Sequence, residues 1–264
     1  VAAGETAGYR ENPSRPNACP SPGAAIRGWR GVQEEVRLMT VAIGTRKEEL
    51  DTPALCLDAE AVERNLRRMA DFFAPLRSKL RPHFKTHKSP LLAQMQLAAG
   101  AAGITCAKLG EAELLAQAGI RDILVANQVV SHRKIQRLVH LAGYTDVMVA
   151  VDQENNVRDI ADAASNVGVR VRVLIEVNIG MNRCGVEPGK PAVDLAERIL
   201  RYPSLRLEGI MGYEGHAVMI PDPAERERTA KTAMGLLIGT RDSLVKAGIS
   251  VPIVSGGGTG TYKT

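Results

Sequence analysis

Lys85 stands in the run Arg81-Pro82-His83-Phe84-Lys85-Thr86-His87-Lys88. Read as an extended strand, this run alternates its side chains between two faces. Arg81, His83, Lys85 and His87 then share one face, and Phe84, Thr86 and Lys88 take the other. Such a polar face does not suit an ordinary core strand. If it looks into an enclosed interior, it is a reaction site. A lysine held there loses hydration, and desolvation favours its neutral, nucleophilic amine, which can form a Schiff base with a carbonyl cofactor. A basic surface strand is the alternative. A metal shared by His83 and His87 does not suit a strand, because four residues at about 3.3 Å each separate them by roughly 13 Å. Pro82 argues against the helix on which that spacing would work.

The second run with chemistry in it is Ser-Gly-Gly-Gly-Thr-Gly-Thr-Tyr at 255–262. Glycines let a backbone approach a ligand closely and expose successive N–H groups. Ser255 and Thr259 add hydroxyls. That is the composition of a phosphate cradle, with a flexible linker as the alternative. It lacks the G-x-x-x-x-G-K-[ST] spacing of a nucleotide loop, and no acidic ribose reader follows it. A nucleophilic lysine and a phosphate cradle together call for a phosphorylated carbonyl cofactor, and pyridoxal 5′-phosphate (PLP) meets both requirements.

These residues need elements to hold them. Strand-like runs fall at 80–85, 103–107, 122–126, 146–151, 169–177, 205–213 and 251–254. Between them, 90–99, 109–118, 132–142, 153–166, 190–201 and 224–247 carry apolar residues at helical spacing. Continuous aliphatic runs such as Val173-Leu174-Ile175 suit parallel strands covered by helices. Seven such units predict a (β/α)8 barrel, with an open doubly wound sheet as runner-up. The expected barrel lacks its last strand. Ahead of it, 52–58 reads as an isolated strand and 59–73 as an amphipathic helix. A barrel of this type carries its site at the C-terminal strand ends. Lys85, His87, Asn127, Gln128, Asp152, Glu176, Asn178, Arg183, Tyr213, Glu214, His216 and Ser255 all fall there.

The chain has 264 residues, 45% of them hydrophobic, 24% charged and only 3% aromatic. That is the profile of a globular protein with an aliphatic core. No apolar run is long enough to span a bilayer. The net charge of +5 is scattered and forms no basic stripe, which argues against nucleic acid as a partner. Four dispersed cysteines without a C-x-x-C pair predict a reducing, cytoplasmic setting. Residues 1–38 are rich in Pro, Gly and Arg, and are expected to be a disordered or non-native leader to a barrel domain at 39–264.

The motifs at 81–88, Gly-Met-Asn-Arg-Cys-Gly at 180–185, Gly-Tyr-Glu-Gly-His at 212–216 and the run at 255–262 occur in the order of a known family. Over about 45–264 the chain resembles the D-threonine aldolase/D-serine dehydratase family, PLP enzymes of the alanine racemase fold type. The resemblance implies that Lys85 carries the cofactor and that Arg183 bonds its phenolic oxygen. Tyr213 would lie near the pyridine nitrogen, and Ser255, Gly257, Gly258, Thr259 and Tyr262 near the phosphate. Lys88 is the other candidate for the imine. His83, His87, Asn127 and His216 are expected around the substrate. Members also have a C-terminal β domain that binds a divalent metal, and they act as homodimers; those metal ligands are not in this sequence. The activity implied is retro-aldol cleavage of a D-β-hydroxy-α-amino acid. Dehydration, as by a D-serine dehydratase, and a non-catalytic PLP carrier are the alternatives.

Overall fold

A computed structural model describes residues 41–264, so the expectation for 1–38 lies outside the described residues. They divide at Asp58 into two units. In the first, Lys47–Glu49 form a single 3-10 turn. Residues 52–58, expected as a strand, are exposed and pair with no strand among the described residues. Thr52 N–H is met locally by Asp51 Oδ1 at 2.9 Å, not by a ladder.

The second unit winds strand and helix in turn. Helix α1 (Ala59–Phe73) precedes an extended segment at 80–83. There follow α2 (Pro90–Ala98), β1 (Ile104–Cys106), α3 (Leu109–Gln117), β2 (Ile123–Gln128) and α4 (His132–Ala142). Next come β3 (Val147–Val151), α5 (Glu154–Asn166), β4 (Val171–Glu176), α6 (Lys190–Ile199) and β5 (Leu205–Met211). The unit ends with α7 (Gly215–Val218), α8 (Pro223–Lys246) and β6 (Ile253–Ser255). Local chemistry sets several boundaries. Ser89 accepts a hydrogen bond from Leu92 N–H with Pro90 in the first turn of α2, and Asp222 does the same for Glu225 N–H ahead of Pro223 in α8. Both are N-caps that satisfy donors a helix leaves unpaired, with proline where no donor is needed.

The six strands are parallel and lie in sequence order. Residues 80–83 extend the same order beyond β1, with Thr105 N–H donating to Pro82 O at 2.8 Å and a bridge between His83 and Thr105. A doubly wound sheet reverses its order at a switch point. There is no reversal here, so the winding is that of a (β/α)8 barrel.

Alternation sorts the strand residues into two cores. Val125, Val149, Val173, Ile175 and Ile210 pack outward among the helices. Leu124, Met148, Ala150, Leu174 and Met211 pack together on the inner face. Counted from Leu205, simple alternation would put Met211 with the outward set. Instead the register slips: Leu207 lies opposite Val173, but Gly209 lies opposite Leu174. Glu208 is the extra residue of a β-bulge, and one extra residue inverts every face beyond it. Gly209 sits at φ +140°, and a Cβ there would stand 2.0 Å from Ile253 O.

Below the inner apolar layer, at the N-terminal strand ends, charges close the floor. Arg81 holds Asp122 through two bonds of 2.9 and 3.1 Å. Arg172 reaches Asp146 at 2.6 Å and Glu208 at 2.7 Å, and Arg206 adds a second cation to Glu208 at 2.9 Å. Burial pushes the Arg172 guanidinium toward neutrality, and Asp146 and Glu208 outweigh it, so its pKa is raised. Among the described residues no helix is long and apolar enough to cross a membrane.

Candidate active site

The expected strand at 80–85 ends at His83. Phe84–Thr86 form a 3-10 turn capped by His83, whose Nδ1 accepts the Lys85 N–H at 3.2 Å. Phe84 is buried by this turn and Lys85 is exposed. The shared face expected for Arg81, His83, Lys85 and His87 therefore does not form. A local side-chain-to-backbone bond has replaced strand continuation. His87 is drawn elsewhere. Its Nδ1 accepts Ser89 N–H, its Nε2 faces Gln96 Oε1 at 3.3 Å, and its ring packs edge-on against Phe84. Lys85 and His83 remain at the C-terminal end of the extended segment. Burial, then the Lys85 ammonium, lower the His83 pKa to about 4, with Glu111 opposing them. The imidazole is neutral at neutral pH. Lys88, at φ 52°, turns to Glu111 Oε1 at 3.5 Å. Burial pushes the Glu111 carboxyl up, but the Ala107 N–H, the Lys88 ammonium and the Lys108 N–H together hold it below the usual range.

The end of β4 forms a second group. Glu176 is buried at 3% exposure and accepts Gln128 Nε2–H at 2.7 Å and Cys184 Sγ–H at 3.0 Å. Arg183 Nη2 lies 3.8 Å from Glu176 Oε1, and its guanidinium sits 5.8 Å from the centre of the Tyr213 ring, within cation–π range. Burial, then Glu176, push the Cys184 thiol up. The bulge in β5 brings Tyr213 to this side. Glu176, Arg183, Cys184 and Tyr213 line one small pocket.

The glycine loop closes on the same tyrosine. A Cβ on Gly258 would stand 3.2 Å from Tyr213 Cε2, so the loop backbone packs closely against the ring and a side chain there would press on it. Gly257 adopts φ +90°, a conformation suited to glycine. Gly257 N–H donates to Glu214 Oε2 at 3.2 Å, and Gly258 N–H donates to Thr261 Oγ1 at 3.0 Å. Among the described residues, the Thr259 and Gly260 N–H groups have no acceptor. Ser255 ends β6 half-buried, its carbonyl accepting Gly212 N–H at 3.0 Å.

Arg183, Tyr213, Ser255 and the loop at 257–259 are thus brought together. Others of the expected set have local roles. Asn127 donates to Ala107 O at 3.0 Å and ties the end of β2 to the loop after β1. The Tyr262 ring packs edge-on against Phe72 at 5.0 Å. His216 is exposed and so close to Gly180 that a Cβ there would meet its ring at 3.0 Å. Sequence reasoning found no partners for Glu111, Cys184 or Thr261. Their signal was weak, because each is one ordinary polar residue whose role depends on what folding places opposite it. Among the described residues, no three His, Cys, Asp or Glu side chains gather as metal ligands would, and none is assigned to a divalent metal.

Comparison with known proteins places the fold in a family. Residues 57–264 match the family described as alanine racemase, N-terminal domain. The chain is 36% identical over 222 residues to 3-hydroxy-D-aspartate aldolase of Paracoccus denitrificans, covering 83% of this chain and 57% of that protein. It is 34% identical over 213 residues to D-threo-3-hydroxyaspartate dehydratase of Delftia sp., covering 80% and 56%. The crystal structure of D-threonine aldolase from Filomicrobium marinum superposes with a TM-score of 0.79 at 42% identity, over 81% of this chain and 58% of that one. The chain spans a little over half the length of the curated relatives it matches. A singly wound parallel sheet, a lysine at the end of its first segment and a glycine loop after its last described strand thus coincide with one family: this chain belongs to the alanine racemase N-terminal domain family.

Proposed function

We propose that this chain carries the PLP site of a lyase acting on D-β-hydroxy-α-amino acids. The activity is D-threonine aldolase-like cleavage of the Cα–Cβ bond to glycine and an aldehyde. The observation that carries the reading is the convergence on Tyr213. An arginine lies over its ring and a glycine loop with uncommitted N–H groups packs beside it, at the strand ends where Lys85 also stands. The residues fit the group. A phosphorylated pyridine aldehyde needs an accessible amine, a cation for its phenolic oxygen, an aromatic neighbour and an anion cradle. Lys85, Arg183, Tyr213 and the loop from Ser255 to Tyr262 supply them. In that loop the Thr259 and Gly260 N–H groups and the Ser255 and Thr259 hydroxyls are among the open donors.

When bound, PLP supplies an electron sink for negative charge at Cα. Lys85 contributes the amine that anchors it, and Arg183, held by Glu176, fixes its orientation. His83 is neutral. Because its Nδ1 accepts the Lys85 N–H, its proton sits on Nε2, a donor for a substrate oxygen beside the Lys85 amine. A dehydratase reading is favoured by the similarity to the Delftia enzyme.

The test is to incubate the whole protein with PLP, a divalent metal and D-threonine or 3-hydroxy-D-aspartate. Glycine and aldehyde are expected. A 2-oxo acid with ammonia would reassign the site to dehydration. Neither product, with PLP bound, would leave a carrier and overturn the lyase reading.

A further inference from the structure

Behind the glycine loop lies a carboxylate that the scheme above does not use. Glu214 follows Tyr213 and is 1% exposed. Its Oε2 accepts Gly257 N–H at 3.2 Å and its Oε1 accepts the Thr261 hydroxyl. Thr261 Oγ1 in turn accepts Gly258 N–H at 3.0 Å. A buried carboxylate is costly unless its oxygens are bonded, and both oxygens here are bonded by the loop alone. One buried anion therefore fixes residues 257 and 261 directly and 258 through Thr261. The next two N–H groups, of Thr259 and Gly260, find no acceptor among the described residues, and both residues are exposed.

We propose that Glu214 is the positioning residue of the anion cradle. By drawing the Gly257 N–H, and through Thr261 the Gly258 N–H, onto an internal acceptor, it fixes the shape of the loop. That shape leaves the Thr259 and Gly260 N–H groups for the phosphate of the cofactor. The proposal rests on the PLP reading above. It also gives the glycines different roles, since 257 and 258 bond inward and the donors that meet the ligand follow them.

The experiment compares PLP with pyridoxal, which lacks the phosphate. The whole protein is titrated with each, followed by the visible absorbance of the bound form. Wild type is set beside Glu214→Ala, Glu214→Gln and Thr261→Val. Wild type is expected to prefer PLP. Glu214→Ala should cut that preference about tenfold or more, the scale of one hydrogen bond to a charged group, with pyridoxal affinity nearly unchanged. Glu214→Gln should retain part of the preference, since its amide oxygen can still accept Gly257 N–H. Thr261→Val should lose part of it. Thr261→Val keeps side-chain volume, so it decides the matter if Glu214→Ala does not fold. An unchanged preference in a folded variant, or an equal loss of both affinities, overturns the proposal. A wild type indifferent to the phosphate overturns the cofactor reading itself, a distinct outcome.

Discussion

Under the proposed function Lys85 carries the cofactor, so Lys85→Ala should abolish the visible absorbance of bound PLP while leaving thermal unfolding nearly unchanged, because the side chain is exposed. Its neighbour His83 makes a prediction about acid. Its folded pKa is about 4, below the ordinary 6.5. The unfolded chain therefore takes up the proton first. The contribution of His83 to stability is complete above about pH 6.5 and is lost as pH falls from there toward 4. His83→Asn offers an oxygen where Nδ1 accepts the Lys85 N–H. The variant should lose less of its melting temperature than wild type between those pH values; parallel curves would refute this. Cys106 is the counter-case. Burial, then Glu111, push its thiol up to about 12, so it should stay unmodified in native protein treated with a thiol reagent while exposed Cys56 reacts. At this scale the runs that hold Lys85 and the loop stood out in the sequence, since their unusual composition is local. It did not reveal the 3-10 turn, because that turn depends on His83 bonding the next-but-one N–H and on Phe84 finding a core.

Most helices were legible because their signals are contiguous. Ala59–Phe73 and His132–Ala142 match the apolar spacing at both ends, and Ser89-Pro90 marks the start of α2. Strand faces were not, because a face depends on register with a neighbour. The bulge in β5 shows this. Glycine at 209 in a strand hints at irregularity, but only the pairing with β4 shows that Glu208 is the extra residue. Gly209→Ala would force a Cβ against the backbone of β6. It should cost at least about 2 kcal/mol, measured by denaturant unfolding. Gly235→Ala, where a Cβ would meet nothing within 4 Å on α8, should be neutral or mildly stabilising. Residues 52–58 show the opposite error: a strand-like composition does not make a strand without a partner.

At the largest scale the second unit is layered along the strand direction, with a charged floor, an apolar middle and a polar rim that carries the candidate site. Parallel order was inferable from aliphatic runs spaced by helices. The layering was not, since Asp122, Asp146, Arg172 and Glu208 meet only when four strands are set side by side. Stability should follow the sheet. In β3 all five residues are buried, whereas β6 has no buried residue. Amide exchange should be slowest in β3 and β4 and much faster in β6 and at 80–83; uniform protection would contradict this picture. The bulge also bears on how such a chain can change by inheritance. Glu208 is surplus to the ladder, so loss of its single codon would let β5 close up with Met211 and Tyr213 still facing inward. Arg172 and Arg206 alone would lose a partner. A codon lost at Ile210 would instead turn the rim outward. The base and the rim of this sheet are therefore separable by inheritance, and the seam between them is the single residue unpaired in the ladder, Glu208.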